Sequence, residues 1–350
     1  MYNTYQFEHI DVKRSNKMCA LKRFLSVMNL DIDVDVESFV VVLDQGEIIG
    51  CGGIAGNTFK SIAIDEQYQG QGVSAMLLTE LVTYAYELGR YNLFIYTTPN
   101  NYELFHHAGF HQIAEVPDRV VLLENSQNRL KDHCHQLSRL RKPGSMIGSI
   151  VMNANPFTLG HRYLIECAAK QSDWLHLFVV QEEQALFTYQ DRFNMMSAGI
   201  SDIPNVTIHH GSDYIISRAT FPSYFIKDKG IINYCHTAID LQLFRNHIAP
   251  ALGITHRFVG TEFICVVTRN YNQQMDKLLA VASTQYPPIT LKVIQRKEIN
   301  QQPISASLVR KLLELDRWDD IAELVPTTTL DYLHKLEATG RDLKRIKKGE

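Results

Sequence analysis

From residue 146 onward, short apolar runs alternate regularly with segments that repeat apolar residues every three or four positions. The short runs predict strands and the repeating segments predict helices. The predicted strands are 146–152, 174–180, 206–209, 256–259 and 289–294, and the predicted helices are 160–170, 189–199, 233–247, 269–282 and a group that begins at Ser305. Such alternation favours an α/β fold, in which a parallel sheet carries helices on both faces.

The preceding part of the chain has a different pattern, with strands in succession and fewer helices. The predicted strands are 39–43, 47–53, 59–64, 93–96, 109–116 and 119–123, and the predicted helices are 70–89 and 102–107. A polar stretch then predicts a connecting helix that is ended by Pro143 and Gly144. At roughly 150 residues per domain, 350 residues correspond to two domains. We therefore predict an α+β domain over 1–125, a connecting segment over 126–144 and an α/β domain over 145–350.

Composition excludes several classes of protein. The net charge is −3, from 35 basic and 38 acidic residues, so no global charge favours nucleic-acid binding. The longest apolar runs fall far short of the ~20 residues that span a bilayer, and the first residues lack the pattern of a signal peptide. Six scattered cysteines without a CxxC pair are typical of reduced thiols. We expect a cytoplasmic protein that binds neither nucleic acid nor membrane.

One segment between the first strand and the first helix of the α/β domain has features of a phosphate site. It reads Met152-Asn153-Ala154-Asn155-Pro156-Phe157-Thr158-Leu159-Gly160-His161-Arg162. With Thr158 as the helix cap, Gly160 and His161 lie in the first turn, where free N–H groups attract anions. Glycine within a helix costs about 1 kcal/mol relative to alanine, which suggests a close approach to the backbone. His161 and Arg162 place basic groups at a helix end that favours acidic ones. The alternative is an ordinary capped helix with a solvated His–Arg pair.

A second segment repeats this arrangement near the end of the chain. Pro303-Ile304-Ser305-Ala306-Ser307-Leu308-Val309-Arg310-Lys311 places serines at a helix start with basic residues just inside. Taken together, Thr158-x-Gly160-His161 and Ile304-Ser305-x-Ser307-x-x-Arg310 resemble the paired signatures of the HxGH nucleotidyltransferase superfamily, which has a Rossmann-like domain. Thr158 stands where many members carry the first histidine. A P-loop is excluded, because the sequence contains no GxxxxGK[ST] motif.

Further motifs narrow the resemblance to the citrate lyase synthetase family. They are Phe178-Val179-Val180-Gln181-Glu182-Glu183, Phe187-x-Tyr189-x-Asp191-Arg192, Phe258-Val259-Gly260-Thr261-Glu262 and Val267-Thr268-Arg269-x-Tyr271-Asn272-x-x-Met275. Members of that family typically carry an acidic residue and a proline after the Gly260 element. Here Thr261-Glu262-Phe263-Ile264 departs from that pattern.

The resemblance implies an AMP-forming ligase. ATP and acetate would give acetyl-adenylate, and the thiol of the citrate lyase acyl carrier protein's prosthetic group would then take the acetyl group. It implies His161, Thr158 and Arg310 as catalytic residues, and Asn155, Gly160, Gly260, Ser305, Ser307 and Arg192 as ATP contacts. Arg192 has the alternative of a helix-surface arginine. Magnesium would accompany ATP, held mainly by phosphate oxygens.

The α+β domain carries its own motif after the strand that ends at residue 64. Gln67-Tyr68-Gln69-Gly70-Gln71-Gly72 opens a helix and resembles the Q-x-x-G-x-G/A loop of GNAT acetyltransferases, which holds the pyrophosphate of coenzyme A. This resemblance implies that Gln67, Gly70 and Gly72 bind a CoA-like group. Dinucleotide binding is a competing interpretation, since Gly70-x-Gly72-x-x-Ala75 fits G-x-G-x-x-A, but the acidic residue that fingerprint requires is missing near Thr97. The third interpretation is a glycine turn that binds no ligand.

Three functions therefore remain open for the whole chain. The first is the ligase, the second a nucleotidyltransferase that makes a dinucleotide cofactor, and the third an acetyltransferase with a nucleotide-sensing domain. Histidines 106–107, 133 with 135, and 209–210 lack zinc-site spacing, so we expect no bound metal there. The basic tail over 344–348 is expected to be solvated, with docking to an acidic carrier protein as the alternative.

Overall fold

The computed structural model describes residues 5–13, 17–181, 186–215, 221, 224–225, 228–262, 266–281, 286–299 and 302–343. Residues 182–183 and 263–264 of the family motifs, the side chains of 267 and 268, and the basic tail over 344–348 lie outside this description. The chain divides into two compact units: the first comprises 1–132 and 220–239, and the second comprises 133–219 and 240–350. The return of residues 220–239 to the first unit is a feature that the sequence did not predict.

The first unit is built on a mixed sheet of seven strands. Its elements are β1 (Gln6–Asp11), α1 (Met18–Val27), β2 (Ser38–Asp44), β3 (Glu47–Ala55), β4 (Thr58–Ile64), α2 (Val73–Glu87), β5 (Phe94–Thr97), α3 (Tyr102–His107), β6 (His111–Val116) and β7 (Val120–Glu124). The strand order is β1-β2-β3-β4-β5-β7-β6. Only the β4–β5 pair among these strands is parallel. Apolar clusters pack on the sheet against α1 and α2.

The second unit is built on a parallel sheet of five strands. Its elements are β8 (Ile147–Met152), α5 (Leu159–Gln171), β9 (Trp174–Val179), α6 (Tyr189–Gly199), β10 (Val206–His209), α8 (Ala249–Leu252), β11 (His256–Gly260), α9 (Val266–Ala280), β12 (Thr290–Ile294), the short pair β13 (Glu298–Ile299) and β14 (Gln302–Pro303), α10 (Ala306–Glu314), α11 (Trp318–Ala322) and α12 (Thr327–Ala338). Helices α4 (Arg129–Ser138) and α7 (Lys229–Leu243) each run from one unit into the other. The strand order is β10-β9-β8-β11-β12, and every pair is parallel. The predicted parallel α/β fold is therefore confirmed.

Strand order places a topological switch between β8 and β11. From β8 the chain moves to β9 and β10 on one side, and then returns to β11 and β12 on the other. In open α/β sheets, ligands bind at such a switch, outside the carboxyl ends of the strands. The core beneath it contains Phe157 of the β8–α5 loop, Ile165 of α5, and Ile304 and Val309 at α10.

Most predicted elements agree with the observed ones within a few residues. Helix α2 begins at Val73 rather than at 70, because Gly70 and Gly72 adopt left-handed backbone angles, with φ of +74° and +81°. Strand β1 and helix α1 were not predicted. Among the described residues, no helix is long and apolar enough to cross a membrane.

Candidate nucleotide site and a second cavity

A cavity of about 660 Å³ opens at the carboxyl ends of β8 and β11. The starts of α5 and α10 both face it, so two helix N-termini meet at one place. The predicted site residues that line it are Asn155, Thr158, Gly160, His161, Gly260, Ser305, Ser307 and Arg310. Residues from two motifs about 150 positions apart are therefore brought together at the topological switch.

Thr158 and His161 form a reciprocal cap at the start of α5. The Thr158 side chain caps the helix, with its oxygen 3.4 Å from the backbone nitrogen of His161. In return, Nδ1 of His161 accepts from the backbone N–H of Thr158 at 3.1 Å, and it lies 2.9 Å from the threonine hydroxyl. A neutral imidazole that accepts at Nδ1 carries its proton on Nε2. The cap therefore fixes both the ring orientation and the tautomer of His161.

His161 is uncharged at neutral pH. Burial, together with the smaller effect of the positive charge of Arg296, lowers its pKa to about 4. The sequence left open whether His161 is charged, and the structure indicates a neutral ring that offers one N–H donor. Arg296 lines the same cavity and forms an ion pair with Glu262.

Gly160 and Arg162 differ from their expected surroundings. A Cβ at Gly160 would lie 3.0 Å from the carbonyl oxygen of Ile304, so the close approach comes from the chain before α10. The Arg162 guanidinium contacts Glu166 at 2.8 Å and Asp202 at 2.6 Å. Two carboxylates of the protein therefore compensate the charge of Arg162, which does not line the cavity.

The second motif supplies hydroxyl and guanidinium groups from α10. Ser305 caps the helix, accepting from the N–H of Leu308 at 3.2 Å. Ser307 accepts from Nη2 of Arg310 at 3.2 Å, and Nη1 of Arg310 donates to the carbonyl oxygen of Asn155. Arg310 therefore links α10 to the loop after β8, and both Arg310 and Asn155 line the cavity.

Arg192 does not lie where an ATP contact was expected. It is fully buried, and it is absent from the cavity lining. Its Nη1 donates to the carbonyl oxygens of Asn153 and Val180, each at 2.9 Å. The alternative of a helix-surface arginine is equally excluded by this burial. Arg192 joins the loops that follow β8 and β9.

Sequence reasoning gave no role to several cavity residues, among them Arg257, Glu262, Tyr271 and Arg296. Glu262 and Tyr271 lay within quoted motifs but received no role. Arg257 and Arg296 had no recognisable signal, because a single arginine in or after a strand forms no motif. Gly260 ends β11, and its carbonyl oxygen lies 3.4 Å from Nδ2 of Asn272.

The first unit has a separate cavity of about 440 Å³. Gly70, Ser74, Tyr96 and Asn101 contribute to its lining. Gln67 and Gly72 do not: the N–H of Gln67 donates to Asp65 at 2.9 Å, and Gly72 precedes the first turn of α2.

The segment that returns to the first unit closes part of this second cavity. Tyr224 lines it together with Phe225, and the Tyr224 hydroxyl donates to the carbonyl oxygen of Tyr96 at 3.0 Å. The carbonyl oxygen of Tyr224 accepts from the N–H of Asp31 at 3.3 Å. Tyr224 and Phe225 thus contribute directly to the structure of the first unit.

Comparison with known proteins covers both units. The family model for the citrate lyase ligase C-terminal domain matches residues 147–333, and the model for the GNAT acetyltransferase family matches residues 7–110. Curated proteins named citrate (pro-3S)-lyase ligase are similar over most of the chain. The Klebsiella pneumoniae protein is 54% identical over 91% of this chain and 92% of its own, and the Escherichia coli protein 49% identical over 96% of each.

The chain belongs to the citrate lyase ligase family. This finding confirms the resemblance that the motifs predicted, and with it the enzyme class of a ligase. The match of residues 7–110 confirms the GNAT-like fold of the first unit. A shorter stretch of 64 residues is 31% identical to the phosphopantetheine adenylyltransferase of Staphylococcus carnosus, covering 18% of this chain and 40% of that protein.

Proposed function

We propose that this member of the citrate lyase ligase family forms acetyl-adenylate in the cavity of its second unit. A carboxylate oxygen of acetate attacks the α-phosphorus of ATP. The bond from that phosphorus to the oxygen bridging to the β-phosphorus breaks, and pyrophosphate leaves. The thiol of the carrier protein's prosthetic group then attacks the acetyl carbon. The carbon–oxygen bond to AMP breaks, and the thiol proton passes to solvent.

The observation that carries the proposal is the meeting of two helix N-termini in one cavity. Free N–H groups and the helix dipoles of α5 and α10 attract the triphosphate. Ser307 and Arg310 add hydroxyl and guanidinium donors there. Adenylate formation needs no covalent nucleophile from the protein, so positioning and charge stabilisation suffice.

His161 acts as a neutral hydrogen-bond donor in this scheme. Thr158 holds Nδ1, which leaves the Nε2 proton for a phosphate oxygen as charge develops. The low pKa of the ring means that it keeps this form across the neutral range. His161 therefore holds its proton rather than transferring it.

Arg192 is a positioning residue in this scheme. Its bonds to the carbonyl oxygens of Asn153 and Val180 hold the loop that carries Asn155. Magnesium would accompany ATP as part of the substrate, held mainly by phosphate oxygens, and would neutralise charge there. Glu262, a carboxylate in the cavity lining, is already paired with Arg296.

The first unit binds the CoA-like prosthetic arm of the carrier protein. The left-handed φ of Gly70 and Gly72 shapes the loop before α2, and Gly70 lies at the cavity wall. Backbone N–H groups of such a loop are suited to a pyrophosphate.

The free thiols of Cys19, Cys51, Cys134, Cys167 and Cys235 support a reducing, cytoplasmic location.

Supplying the full chain with ATP, acetate and deacetylated carrier protein tests the whole proposal. The expected products are acetylated carrier, AMP and pyrophosphate in equal amounts. A product that retains the nucleotide would instead identify a cofactor-forming nucleotidyltransferase. Carrier acetylation from acetyl-CoA without ATP cleavage would identify an acetyltransferase. Either result would overturn the ligase assignment.

A further inference from the structure

Arg257 is a buried cation at the cavity of the second unit. It lies on β11, three residues before Gly260, and only 3% of its surface is exposed. Its guanidinium carbon lies 4.5 Å from the centre of the Phe244 ring, in a cation–π contact. Among the described residues, no acceptor bonds its Nε or Nη1, although both atoms are buried. Arg257 thus lines a ligand cavity, and two of its N–H donors have no acceptor in the part of the chain that the structure describes.

The neighbours of Arg257 make it a directed donor rather than a mobile one. Tyr271 of α9 lines the same cavity, and its hydroxyl donates to Oδ2 of Asp240 at 2.5 Å. Asp240 is 7% exposed and is among the charges that act on Arg257. The aromatic contact and this nearby carboxylate hold the cation in place, while its Nε and Nη1 protons have no acceptor among the described residues.

Buried guanidinium donors without acceptors are unfavourable, and a carboxylate is the ligand that best relieves them. Burying a polar donor without a partner costs roughly 1–3 kcal/mol. A carboxylate can accept two parallel N–H bonds from one guanidinium, which sets both its position and its orientation. Phosphate oxygens are the competing ligand, but the hydroxyls and N–H groups of α5 and α10 already provide for them.

We propose that Arg257 binds the carboxylate of the short-chain acid substrate, with Tyr271 as a positioning residue. Resting on the ligase function proposed above, this assigns the acid subsite to the interior of β11. Met275 and Phe244 provide apolar surroundings, of which Met275 also lines the cavity. As the carboxylate reacts, one oxygen keeps its hydrogen bond to Arg257, and the other gives up its hydrogen bond to attack the α-phosphorus.

Acetate-dependent exchange of labelled pyrophosphate into ATP tests this assignment. We expect Arg257→Met to raise the KM for acetate on the order of 100-fold, since a buried charged contact is lost. Arg257→Lys should raise the KM for acetate less, because the positive charge remains and only the pair of parallel N–H donors is lost. The Kd of a non-hydrolysable ATP analogue should stay within about 2-fold in both variants. Arg257→Lys carries the test alone if Arg257→Met does not fold.

A matched control is Arg245→Met in the same unit. Arg245 is also buried, but its Nη1 donates to the carbonyl oxygen of Leu278 and its Nη2 to those of Val281 and Tyr286. Its loss should lower stability and leave the KM for acetate unchanged. An unchanged KM for acetate in the Arg257 variants would overturn the subsite, as would an equal loss of ATP affinity. Absence of exchange in the unmodified protein would instead overturn the proposed function.

Discussion

The backbone N–H of Thr158 donates to Nδ1 of His161 across 3.1 Å, so the residue that starts α5 also sets the tautomer of the histidine in its first turn. The usual partner for this reciprocal cap is a glutamate or glutamine. A histidine in that position leaves a free Nε2–H next to the helix N-terminus, where an anion would lie. Capping and ligand binding therefore use the same side chain.

Replacing His161 with alanine should slow adenylate formation. Losing one oriented donor to a developing negative charge typically lowers the rate by about 10²–10³-fold. Acetate-dependent pyrophosphate exchange measures this step. Arg162→Gln is the control, since Arg162 contacts Glu166 and Asp202 instead of the cavity. Near-normal exchange in the His161→Ala protein would remove the role assigned to Nε2.

Replacing Arg296 with methionine should raise the pKa of His161. The positive charge of Arg296 is one of the two causes of the low value, and burial, the larger cause, remains. The acidic limb of the pH profile of the exchange rate should therefore move to higher pH. Glu262→Gln keeps the Arg296 charge and should leave the limb at or below its original pH. A shift in the same direction in both variants would contradict the electrostatic explanation.

Acid should destabilise the second unit through two buried histidines. Nδ1 of His176 and Nε2 of His209 lie 2.8 Å apart. Burial lowers the pKa of His176 to about 4 and that of His209 to about 3, with smaller effects of Lys142 and His176 respectively. Unfolded histidine has a pKa near 6.5. Between pH 6.5 and about 4 the unfolded chain therefore binds more protons, so the free energy of unfolding falls as pH falls.

Urea unfolding at pH 7.5 and pH 5 measures this effect. His209→Gln should reduce the difference between the two pH values, whereas the exposed His135 replaced with glutamine should leave it unchanged. Equal pH dependence in all three proteins would exclude the buried pair as its source.

Valine at Gly70 or Gly72 should weaken binding of the carrier protein's arm. Both positions have positive φ, and a β-branched side chain there is strained and obstructs the loop. We expect a raised KM for carrier protein with unchanged acetate-dependent exchange. Gly89→Val is the matched control, because Gly89 follows the other end of α2 with a φ of +75°. An unchanged KM for carrier protein in a folded Gly72→Val protein would mean that the first unit does not bind the arm and has only a structural role.

Replacing Arg192 with lysine should lower the thermal stability of the protein and have a smaller effect on its affinity for ATP. Nη1 of Arg192 donates hydrogen bonds to the carbonyl oxygens of both Asn153 and Val180, and Nε donates to the carbonyl oxygen of Phe187. A lysine ammonium cannot reproduce this set of donors from a planar guanidinium. Each buried acceptor that loses its donor costs roughly 1–3 kcal/mol of folding free energy. Thermal unfolding and ATP analogue affinity separate the two effects. A large loss of affinity for the ATP analogue without a loss of thermal stability would favour the sequence-based prediction that Arg192 contacts ATP.

Local patterns predicted the two folds well, because each depends on periodicities that short windows contain. The helix caps at Thr158 and Ser305 were predictable for the same reason. Side chains that act across long separations were not. Arg192 is on a helix whose sequence suggests a surface position, but two of its partners lie 12 and 39 residues away. Arg257 and Arg296 join the site only through the parallel pairing of β11 with β8 and β12.

The return of residues 220–239 to the first unit has a consequence for synthesis on the ribosome. A chain that has emerged only as far as residue 132 lacks Tyr224, and with it the bonds to Asp31 and Tyr96 that close the second cavity. About a hundred further residues must be translated before that wall can be added. Completion of the GNAT-like unit is thus delayed until β8, β9 and β10 of the following unit have already left the exit tunnel.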